Sequence, residues 1–345
     1  MQSAPFSLHD DAEVHPVGRF KRQPAKQRII ACIGAVKNAA HIMPLGVITA
    51  GALDAELTLL HVIAADDLIS APRDPIASEL TRREATMELS NLAEKWKGKV
   101  DNIKTVVLEG RAADQICIWA KDHKVDLTVI CAGNEDATCR WALGDTAQRV
   151  IECIPGSVLV APNDESKIAN SALKKILVFL DGSCRAESAL PLALKIAKSE
   201  NAGLNLIHAV PEPELTEIGA PKAEDTLLRE TISSRNEKVA RAYFDQLKGR
   251  FSNSGVEVET TILKGGDARH MLLRAIDVAQ ADLVVLSSHG YSNHADVAAG
   301  SVASHLITHT PVPLSLVRDA RLPSFAQNSI AARGVRRRNP FRNAV

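Results

Sequence analysis

A serine- and glycine-rich loop near residue 290 carries the most specific chemistry in the chain. Ser287-Ser288-His289-Gly290 follows an apolar run, and Gly300-Ser301 comes after nine intervening residues, at the start of a helix-forming segment. Gly290 permits a left-handed turn and a close backbone approach. The first turn of a helix offers N–H groups and the positive end of its dipole, which suit a phosphate. Ser301 fits two roles equally, because its hydroxyl can cap the helix or donate to a phosphate oxygen.

A carboxylate at the end of an earlier apolar run could form another wall of the same site. Leu180-Asp181-Gly182-Ser183 closes that run, and ligands of open α/β sheets collect outside the carboxyl ends of the strands. Asp181 could hold a ribose hydroxyl, a base edge or a metal ion there. Asp-Gly-Ser is also an ordinary turn and helix cap. The two features together therefore favour a ligand site more strongly than either one does alone.

These residues need a scaffold of alternating strands and helices, and the apolar periodicity predicts one. Runs of β-branched and apolar residues predict strands, and 3.6-residue apolar spacing predicts helices. Such alternation implies right-handed crossovers and a parallel sheet covered on both faces. In order, the predicted elements are strand Lys175–Leu180, helix Ala186–Lys198, strand Leu204–Val210, helix Asn236–Phe251, strand Val256–Leu263, helix Ala268–Ala279, strand Asp282–Ser287, helix Gly300–His309 and strand Pro313–Val317.

The chain contains this unit twice. Arg28 to Val62 realigns without a gap onto Lys175 to Ala209, an offset of 147 residues, and Gly110 to Pro155 realigns onto Gly266 to Pro311, an offset of 156. The second copy therefore carries an insertion of nine residues between the two blocks. Positions that share an apolar residue report on packing, whereas polar or glycine positions that differ report on a site.

The first copy lacks the polar residues of the candidate site. Gly34 stands where the second copy has Asp181, the loop becomes Cys131-Ala132-Gly133-Asn134, and Gly144-Asp145 replaces Gly300-Ser301. A carboxylate at Asp145 would cap its helix and would face a phosphate at a cost of about 1–4 kcal/mol per charge pair. Nucleotide binding is therefore not expected in the first copy. We interpret its tryptophans, Trp96, Trp119 and Trp141, as packing or interface residues.

Composition argues against several classes of protein. Lys plus Arg and Asp plus Glu both total 41, so no global field favours nucleic acid or a membrane surface. The six cysteines form no CxxC pair, which favours a reduced chain. Met1 to Gln27 is polar and lacks the apolar core of a signal peptide, and no run of about 18 apolar residues occurs. We therefore expect a cytoplasmic protein without a membrane span and without nucleic acid as a partner.

The segments outside the copies differ from them in composition. The predicted organisation is a polar extension at 1–25, domains at 26–162 and 173–318, and a tail at 319–345. Glu212 to Ser234 carries the inserted residues, is charged and contains proline, which indicates a mobile excursion. Residues 320–345 contain six arginines and no acidic residue. This composition predicts a basic disordered tail, with contact to anionic lipid or nucleic acid as the second interpretation.

These motifs together resemble the universal stress protein family. The resemblance rests on Ile176 to Ser183, on Leu206-Ile207-His208 and on the glycine loop, and it makes the chain look like a tandem, two-domain member. In the ATP-binding branch of the family the loop reads Gly-x2-Gly-x9-Gly-Ser/Thr, and the second copy departs from it only in having Ser287 for the first glycine. The fold implied is α/β, with two tandem open parallel-sheet domains that are Rossmann-like, three-layered (α/β/α) and adenine nucleotide alpha hydrolase-like.

The resemblance also implies a ligand and its site. It implies ATP with Mg²⁺, or a related adenine nucleotide, in the second domain only, with the first domain structural. Asp181 is the residue through which a metal ion could be held. By the family pattern, Asp181 and Ala209 would lie at the adenosine end, and Ser287, His289, Gly290, Gly300, Ser301 and Val302 would surround the ribose and phosphates.

No catalytic residue is predicted. The sequence has no Walker lysine motif and no obvious machinery for stabilising a transition state, so slow ATP hydrolysis is the most activity expected. A cytoplasmic stress-response protein that binds nucleotide is the leading hypothesis. The alternative is an adaptor that binds no nucleotide and acts through protein–protein contacts.

Two further predictions concern the scaffold. Members of the family commonly pair their final strands, here Val158–Val160 and Leu314–Val317, which predicts an intramolecular pseudo-dimer with closed edges. A homodimer is also compatible with the resemblance. His61 and His208 recur at matching strand positions, and recurrence in both copies favours a structural role for them.

Overall fold

The first copy folds in the predicted alternating order. The computed structural model describes residues 26–34, 39–64, 75–100, 102–133, 143–162, 172–213, 223–290 and 299–318. The strands of the first copy are β1 (Arg28–Cys32), β2 (Glu56–Ala64), β3 (Ile103–Gly110), β4 (Leu127–Cys131) and β5 (Ser157–Ala161). Its helices are α1 (Ala39–Leu53), α2 (Pro75–Trp96), α3 (Ala112–Asp122) and α4 (Asp145–Cys153).

The second copy repeats this order, and the predicted type of every element is confirmed. Its strands are β6 (Lys175–Phe179), β7 (Gly203–Val210), β8 (Val258–Lys264), β9 (Leu283–Ser287) and β10 (Leu314–Val317). Its helices are α5 (Leu190–Glu200), which follows a 3-10 turn at Ala186–Ala189, then α6 (Ala223–Phe251), α7 (Ala268–Ala279) and α8 (Ser301–His309).

The ten strands form one open sheet in the order β3-β2-β1-β4-β5-β10-β9-β6-β7-β8. Neighbouring strands within each copy run parallel. The copies meet where β5 and β10 pair antiparallel, with Leu314 opposite Val160 and Leu316 opposite Val158. The pairing of the two final strands predicted from the sequence is therefore present within the chain.

One apolar layer covers each face of the sheet, and both layers run through both copies. The layer under α1, α2, α5 and α6 includes Met43, Leu190 and Phe244. The layer under α3, α4, α7 and α8 includes Val150 and Leu306. Each large aliphatic side chain buried in these layers contributes about 1.5–3 kcal/mol. Parallel strands covered on both faces need apolar residues at successive positions, which explains their continuous apolar runs.

The predicted mobile excursion is wrong over its second half. Helix α6 begins at Ala223, well before the predicted start at Asn236. Its buried residues are confined to its second half, from Ala240 onward, so the first half lacks the apolar stripe from which a helix is predicted. Residues 214–222 of the excursion lie outside the described part of the chain. Every helix of the described residues, α6 included, is too polar or too short to cross a membrane.

The nine inserted residues fall at two places. Leu57 lies opposite Ile103 and Leu204 lies opposite Val258, so the third strands of the copies realign with an offset of 155, one less than the helices that follow them. The extra residue is a glycine. Gly265 and Gly266 both have positive φ, where the first copy has Gly110 alone. Helix α7 is therefore joined to its strand by one residue more than α3.

The predicted fully reduced chain is wrong at one pair of cysteines. Cys117 on α3 and Cys153 at the end of α4 form a disulfide, with Cα atoms 6.1 Å apart and a sequence separation of 36. Closing a loop of that size stabilises the folded state by about 3–4 kcal/mol in the chain-entropy account. Among the other described cysteines, Cys32, Cys131 and Cys184 are not part of a disulfide.

Arg318, which follows β10, forms hydrogen bonds between the second copy and the first. Its guanidinium donates to the carbonyl oxygens of Ile151 and Ile154 at the end of α4. Its backbone N–H donates to Ser157 Oγ at 3.2 Å. Burial lowers the pKa of the guanidinium, which nevertheless stays charged. A cation at a helix C-terminus is stabilised by the helix dipole, so this contact adds to the pairing of β5 with β10.

We predict that Arg318→Met lowers the free energy of unfolding by about 2–4 kcal/mol, because charged hydrogen bonds are lost and two carbonyl groups lose their donor. Arg318→Lys is the matched control: it keeps the charge but cannot fork between two carbonyls, and it should lose about half as much. Urea unfolding followed by circular dichroism measures both. Equal stability of all three proteins would contradict the role assigned to Arg318.

Candidate functional site

A cavity of about 310 Å³ lies at the carboxyl ends of β6, β7 and β9. This size is at the lower end of the range for small-molecule sites. The carboxyl ends of parallel strands share one edge of a sheet, which is why residues far apart in sequence meet here. All eight residues singled out from the sequence line this cavity: Asp181, Ala209, Ser287, His289, Gly290, Gly300, Ser301 and Val302.

Asp181 uses its two carboxylate oxygens differently. Oδ1 accepts a hydrogen bond from the backbone N–H of Ser183 at 2.9 Å. Ser183 Oγ in turn accepts from the N–H of Ala186 at 3.0 Å, which begins the following helical turn. Oδ2 points toward Gly290. Asp181 therefore closes the turn expected of Asp-Gly-Ser and also presents an oxygen to the loop that follows β9.

Gly290 is needed for close approach and not for a left-handed turn, which corrects half of the sequence prediction. Its φ does not lie in the left-handed region, unlike that of Gly182 at 82°. A Cβ atom built at Gly290 would collide with Asp181 Oδ2. The absence of a side chain thus lets the β9 loop lie directly against the Asp181 carboxylate. This contact joins two strand ends that are not neighbours in sequence.

Helix α8 begins at the cavity without a side-chain cap. Gly300 is its N-cap residue, with φ −67° and ψ 166°, and offers no side-chain hydrogen bond. Ser301 is the first residue inside the helix, so the capping role considered for it is not the one it occupies. A Cβ atom at Gly300 would meet Ser288 O only at 3.6 Å, an ordinary contact. Among the described residues, no side chain caps this helix start, which borders the cavity through Gly300 and Ser301.

A second helix start, that of α7, also borders the cavity through Ala268. It is capped, because the Asp267 side chain accepts from the backbone N–H of Arg269 at 2.7 Å. The Arg269 guanidinium lies beside the same carboxylate and holds the pKa of Asp267 below its usual range. In the described part of the chain, the start of α7 therefore has a side-chain cap, whereas the start of α8 has none.

Ser288 is a lining residue that the sequence prediction missed. It is buried, its N–H donates to Val317 O at 2.9 Å, and its carbonyl accepts from Gly300 N–H at 2.8 Å. Its hydroxyl lies 3.0 Å from His289 Nδ1. Ser288 thereby ties the end of β9 to the start of α8 and orients the His289 ring. Ser288 lies between two residues of the motif, which could have indicated that it lines the site. The Gly-x2-Gly pattern, however, specifies no residue type at that position.

The recurring histidines make the same contact in both copies. His208 Nδ1 lies 2.7 Å from Leu180 O, and His61 Nδ1 lies 2.8 Å from Ile33 O. A carbonyl oxygen can only accept, so Nδ1 carries the proton in each ring. In each copy, the histidine on the second strand is therefore hydrogen-bonded to the backbone just after the first strand. His208 also lines the cavity, which gives it a surface toward any ligand held there.

The first copy keeps a cavity at the matching place, of about 390 Å³. Gly144 N–H donates to Ala132 O at 2.7 Å, as Gly300 donates to Ser288 O, so the loop framework is the same. Gly34, Ala132 and Gly133 line it where the second copy has Asp181, Ser288 and His289. The lining also includes the thiols of Cys32 and Cys131, and Thr146 where the second copy has Val302. Burial raises the pKa of Cys32 to about 12, so this thiol is uncharged at neutral pH. Asn134 lies outside the described residues.

Few charged groups of the described residues border the second cavity. Among the described residues that line it, Asp181 is the one acid, and none is a lysine or an arginine. Nowhere do the described residues gather three or more His, Cys, Asp or Glu side chains that could hold a metal ion. The positive field in this cavity therefore comes from the helix start at Gly300-Ser301.

Comparison with known sequences gives two matches along the chain. The universal stress protein family matches residues 27–162 and again residues 172–318. A Thermus aquaticus protein named "Universal stress protein in QAH/OAS sulfhydrylase 3'region" is 32% identical over 145 residues, which are 42% of this chain and 98% of the relative. A universal stress protein of Bacillus subtilis is 27% identical over 147 residues, with the same coverage. These relatives have the length of one copy.

Solved structures share the fold of both copies. A universal stress protein from Archaeoglobus fulgidus has a TM-score of 0.56 at 17% identity, covering 84% of this chain and 96% of its own. A functionally unknown protein from Pseudomonas aeruginosa has a TM-score of 0.57 at 16% identity, covering 90% and 98%. Likeness at such low identity concerns the fold alone. The two family matches nevertheless span most of the sequence, and the chain therefore belongs to the universal stress protein family, with two tandem repeats.

Proposed function

We propose that the second domain binds ATP, or a related adenine nucleotide, and that the first domain is a structural partner. The observation that carries this proposal is one cavity bordered by both an uncapped helix start, at Gly300-Ser301, and a carboxylate, Asp181. A nucleotide has an anionic phosphate end and a nucleoside end rich in hydroxyl and amino donors. The cavity offers a matching group for each.

The phosphates would lie at the start of α8. N–H groups of its first turn point out of the helix, and the dipole attracts negative charge. The exposed Ser301 hydroxyl can donate to a phosphate oxygen, and Val302 supplies a further backbone N–H. Because α7 is already capped by Asp267, its start competes poorly for the same anion. The proposal therefore places the phosphates at α8 and the ribose between α8 and Asp181.

The nucleoside would contact Asp181 and the backbone near Ala209. Asp181 Oδ2, which faces the loop at Gly290, can accept from a ribose hydroxyl or from an amino group of the base. Mg²⁺ keeps several waters and is usually held by one or two carboxylates plus substrate phosphates. Asp181 is the one acidic residue among the described residues of the lining, and it is the ligand we assign to Mg²⁺. Mg²⁺ would accordingly arrive with the nucleotide.

The first domain is proposed not to bind nucleotide, although its cavity is as large. Gly34 offers no acceptor in place of Asp181. Asp145 is the first residue of α4 and places a negative charge where the phosphates would lie. A like-charge contact at about 4 Å costs about 1–4 kcal/mol, depending on screening. The proposed site is therefore single, and it is part of a cytoplasmic stress-response protein that binds nucleotide with at most slow hydrolysis.

The second candidate function is an adaptor that binds no nucleotide. One observation favours it: Ser287 lines the cavity and brings a Cβ atom to the position that the ATP-binding motif reserves for glycine. The two candidates differ in a direct binding measurement on the nucleotide-stripped chain. Absence of binding at millimolar ATP would favour the adaptor.

We predict that calorimetric titration of the nucleotide-stripped protein with ATP and Mg²⁺ gives one site per chain, and that Ser301→Asp weakens it about 5-fold to 1,000-fold. The substitution recreates Asp145 of the first copy and adds a charge beside the phosphates. An acidic residue in the first turn favours the helix itself, so folding should be unaffected.

Asp145→Ser is the matched control for that experiment. It makes the reciprocal change in the first domain and should leave the affinity of the second site unchanged. A loss of binding in Asp145→Ser, or normal binding in Ser301→Asp, would contradict the assignment of the phosphates to α8.

We predict that Gly290→Ala and Asp181→Gly are energetically coupled. Alanine at 290 displaces the Asp181 carboxylate, so it should weaken ATP binding about tenfold in the wild-type chain. In an Asp181→Gly background, which mimics Gly34, no carboxylate remains to be displaced and the further loss should be small. A double-mutant cycle on the calorimetric affinities should show a coupling of about 1 kcal/mol. Strictly additive losses would exclude the contact as the reason for glycine at 290.

A further inference from the structure

The second domain contains a groove larger than the proposed nucleotide site and separate from it. Its volume is about 780 Å³, and it lies between the face of β7 and β8 and the helix α7. It follows β7 from Gly203 to Ile207, and it follows β8 from Glu257 before the strand to Lys264 at its end. Ile207 is the one residue that lines both this groove and the cavity at the carboxyl ends. We call it the α7 groove.

The first copy fills the corresponding space with its own side chain. Ala275 on α7 lines the groove, and the offset of 156 places Trp119 of α3 at the same helical position. Trp119 packs on the apolar layer of this face, and its ring stacks on His123 with centroids 3.9 Å apart. An indole in the first copy is thus replaced by a methyl group in the second.

The position of α7 on the sheet makes the open space in the second copy larger still. Helix α3 packs against β2 and β3, whereas α7 packs mainly against β7 and β6, one strand nearer the centre of the sheet. The additional glycine at Gly265-Gly266 lengthens the connection that allows this shift. The outermost strand β8 is therefore left with a face that α7 does not cover. Val278 on α7 is 77% exposed at the edge of this face.

The floor of the groove carries a polar pair that packing does not require. Thr261 Oγ1 donates to Asn205 Oδ1 at 3.1 Å, which leaves the amide N–H groups of Asn205 as donors. The register puts Thr58 and Val106 at these two places in the first copy, beneath α3. Polar groups on an otherwise apolar floor, with Leu263 and Met271 nearby, are typical of small-molecule sites.

The rim of the groove carries both signs of charge. Lys174, Lys175, Lys264 and Arg274 line it, with Glu257 and Glu259. Lys264 is paired with Glu237 of α6, and the Asp282 carboxylate accepts from the backbone N–H groups of Lys174 and Lys175 at 2.8 Å. Arg274 on α7 and the side chain of Lys174 are the basic groups that can attract a negative charge on a ligand.

We propose that the α7 groove is a second ligand site, for a small planar aromatic compound of about indole size that carries an acidic group. Its ring lies where Trp119 lies in the first copy, over Ile207 and Leu263. The Asn205 amide donates to the ligand from the floor, and Arg274 with Lys174 attracts the acidic group. This site is distinct from the nucleotide cavity, since it lies between α7 and the face of β7 and β8, and Ile207 is the one described residue common to both linings.

Ligand-detected NMR titration of the full chain with indole-3-acetate tests the proposal, with indole as the uncharged probe. We expect binding of indole-3-acetate with a dissociation constant of about 1 mM or tighter. Ala275→Trp, which restores the filling side chain of the first copy, should weaken it at least tenfold. Arg274→Gln should weaken indole-3-acetate about fivefold and leave indole unchanged.

Thermal unfolding of each variant shows whether the fold is retained. If Ala275→Trp fails to fold, Asn205→Thr supplies a second test: it removes the amide donor from the floor, as at Thr58 of the first copy, and should weaken binding of the acid severalfold. Equal binding by wild type and by both groove variants would overturn the proposal. So would the absence of binding, or a self-association that Ala275→Trp abolishes while neither probe binds.

Discussion

The antiparallel pairing of β5 with β10 is the constraint on which the rest of the structure depends. Each copy alone would end in an exposed strand, and an apolar strand such as Ser157–Ala161 invites association with other chains. Pairing the two final strands removes both edges and makes both apolar layers continuous through the two copies. Arg318 reinforces this junction from one side only, because Pro162 stands at the matching position of the first copy.

Much of the fold could be predicted because it is encoded locally and encoded twice. Strand and helix periodicities agree between copies, and right-handed parallel connections leave few topologies. What escaped prediction depends on long-range contacts. The first half of α6 has no apolar stripe to reveal it. Cys117 and Cys153 become partners only when α3 and α4 pack side by side, and nothing in their spacing indicates that.

The candidate site could be assembled from sequence because strand ends converge by topology, whatever residues they carry. The conformation of single residues could not. Residue type alone allows Gly290 both a left-handed turn and a close backbone approach. That only the close approach is used follows from the carboxylate of Asp181, which lies 109 positions away in the sequence. Ser288 was missed for a similar cause: its role is to hold Gly300 and orient His289, and both contacts arise from the path of the loop. Motif patterns record the residues that contact a ligand, and they omit residues such as Ser288 that hold those residues in place.

Duplication lets the two copies keep one framework while their cavities diverge. The hydrogen bonds that define the framework, from His61 or His208 and from Gly144 or Gly300, are the same in both. Polar side chains at a cavity cost stability unless a ligand or solvent satisfies them. A copy that holds no ligand therefore has no constraint to retain them, and apolar residues can accumulate there. The same logic applies on the other side of the sheet, where Trp119 fills a space that Ala275 leaves open. At some positions the first copy has an apolar or space-filling residue that stabilises the fold, whereas the second copy has a polar residue or an open space. By this argument, a ligand is expected at those positions of the second copy.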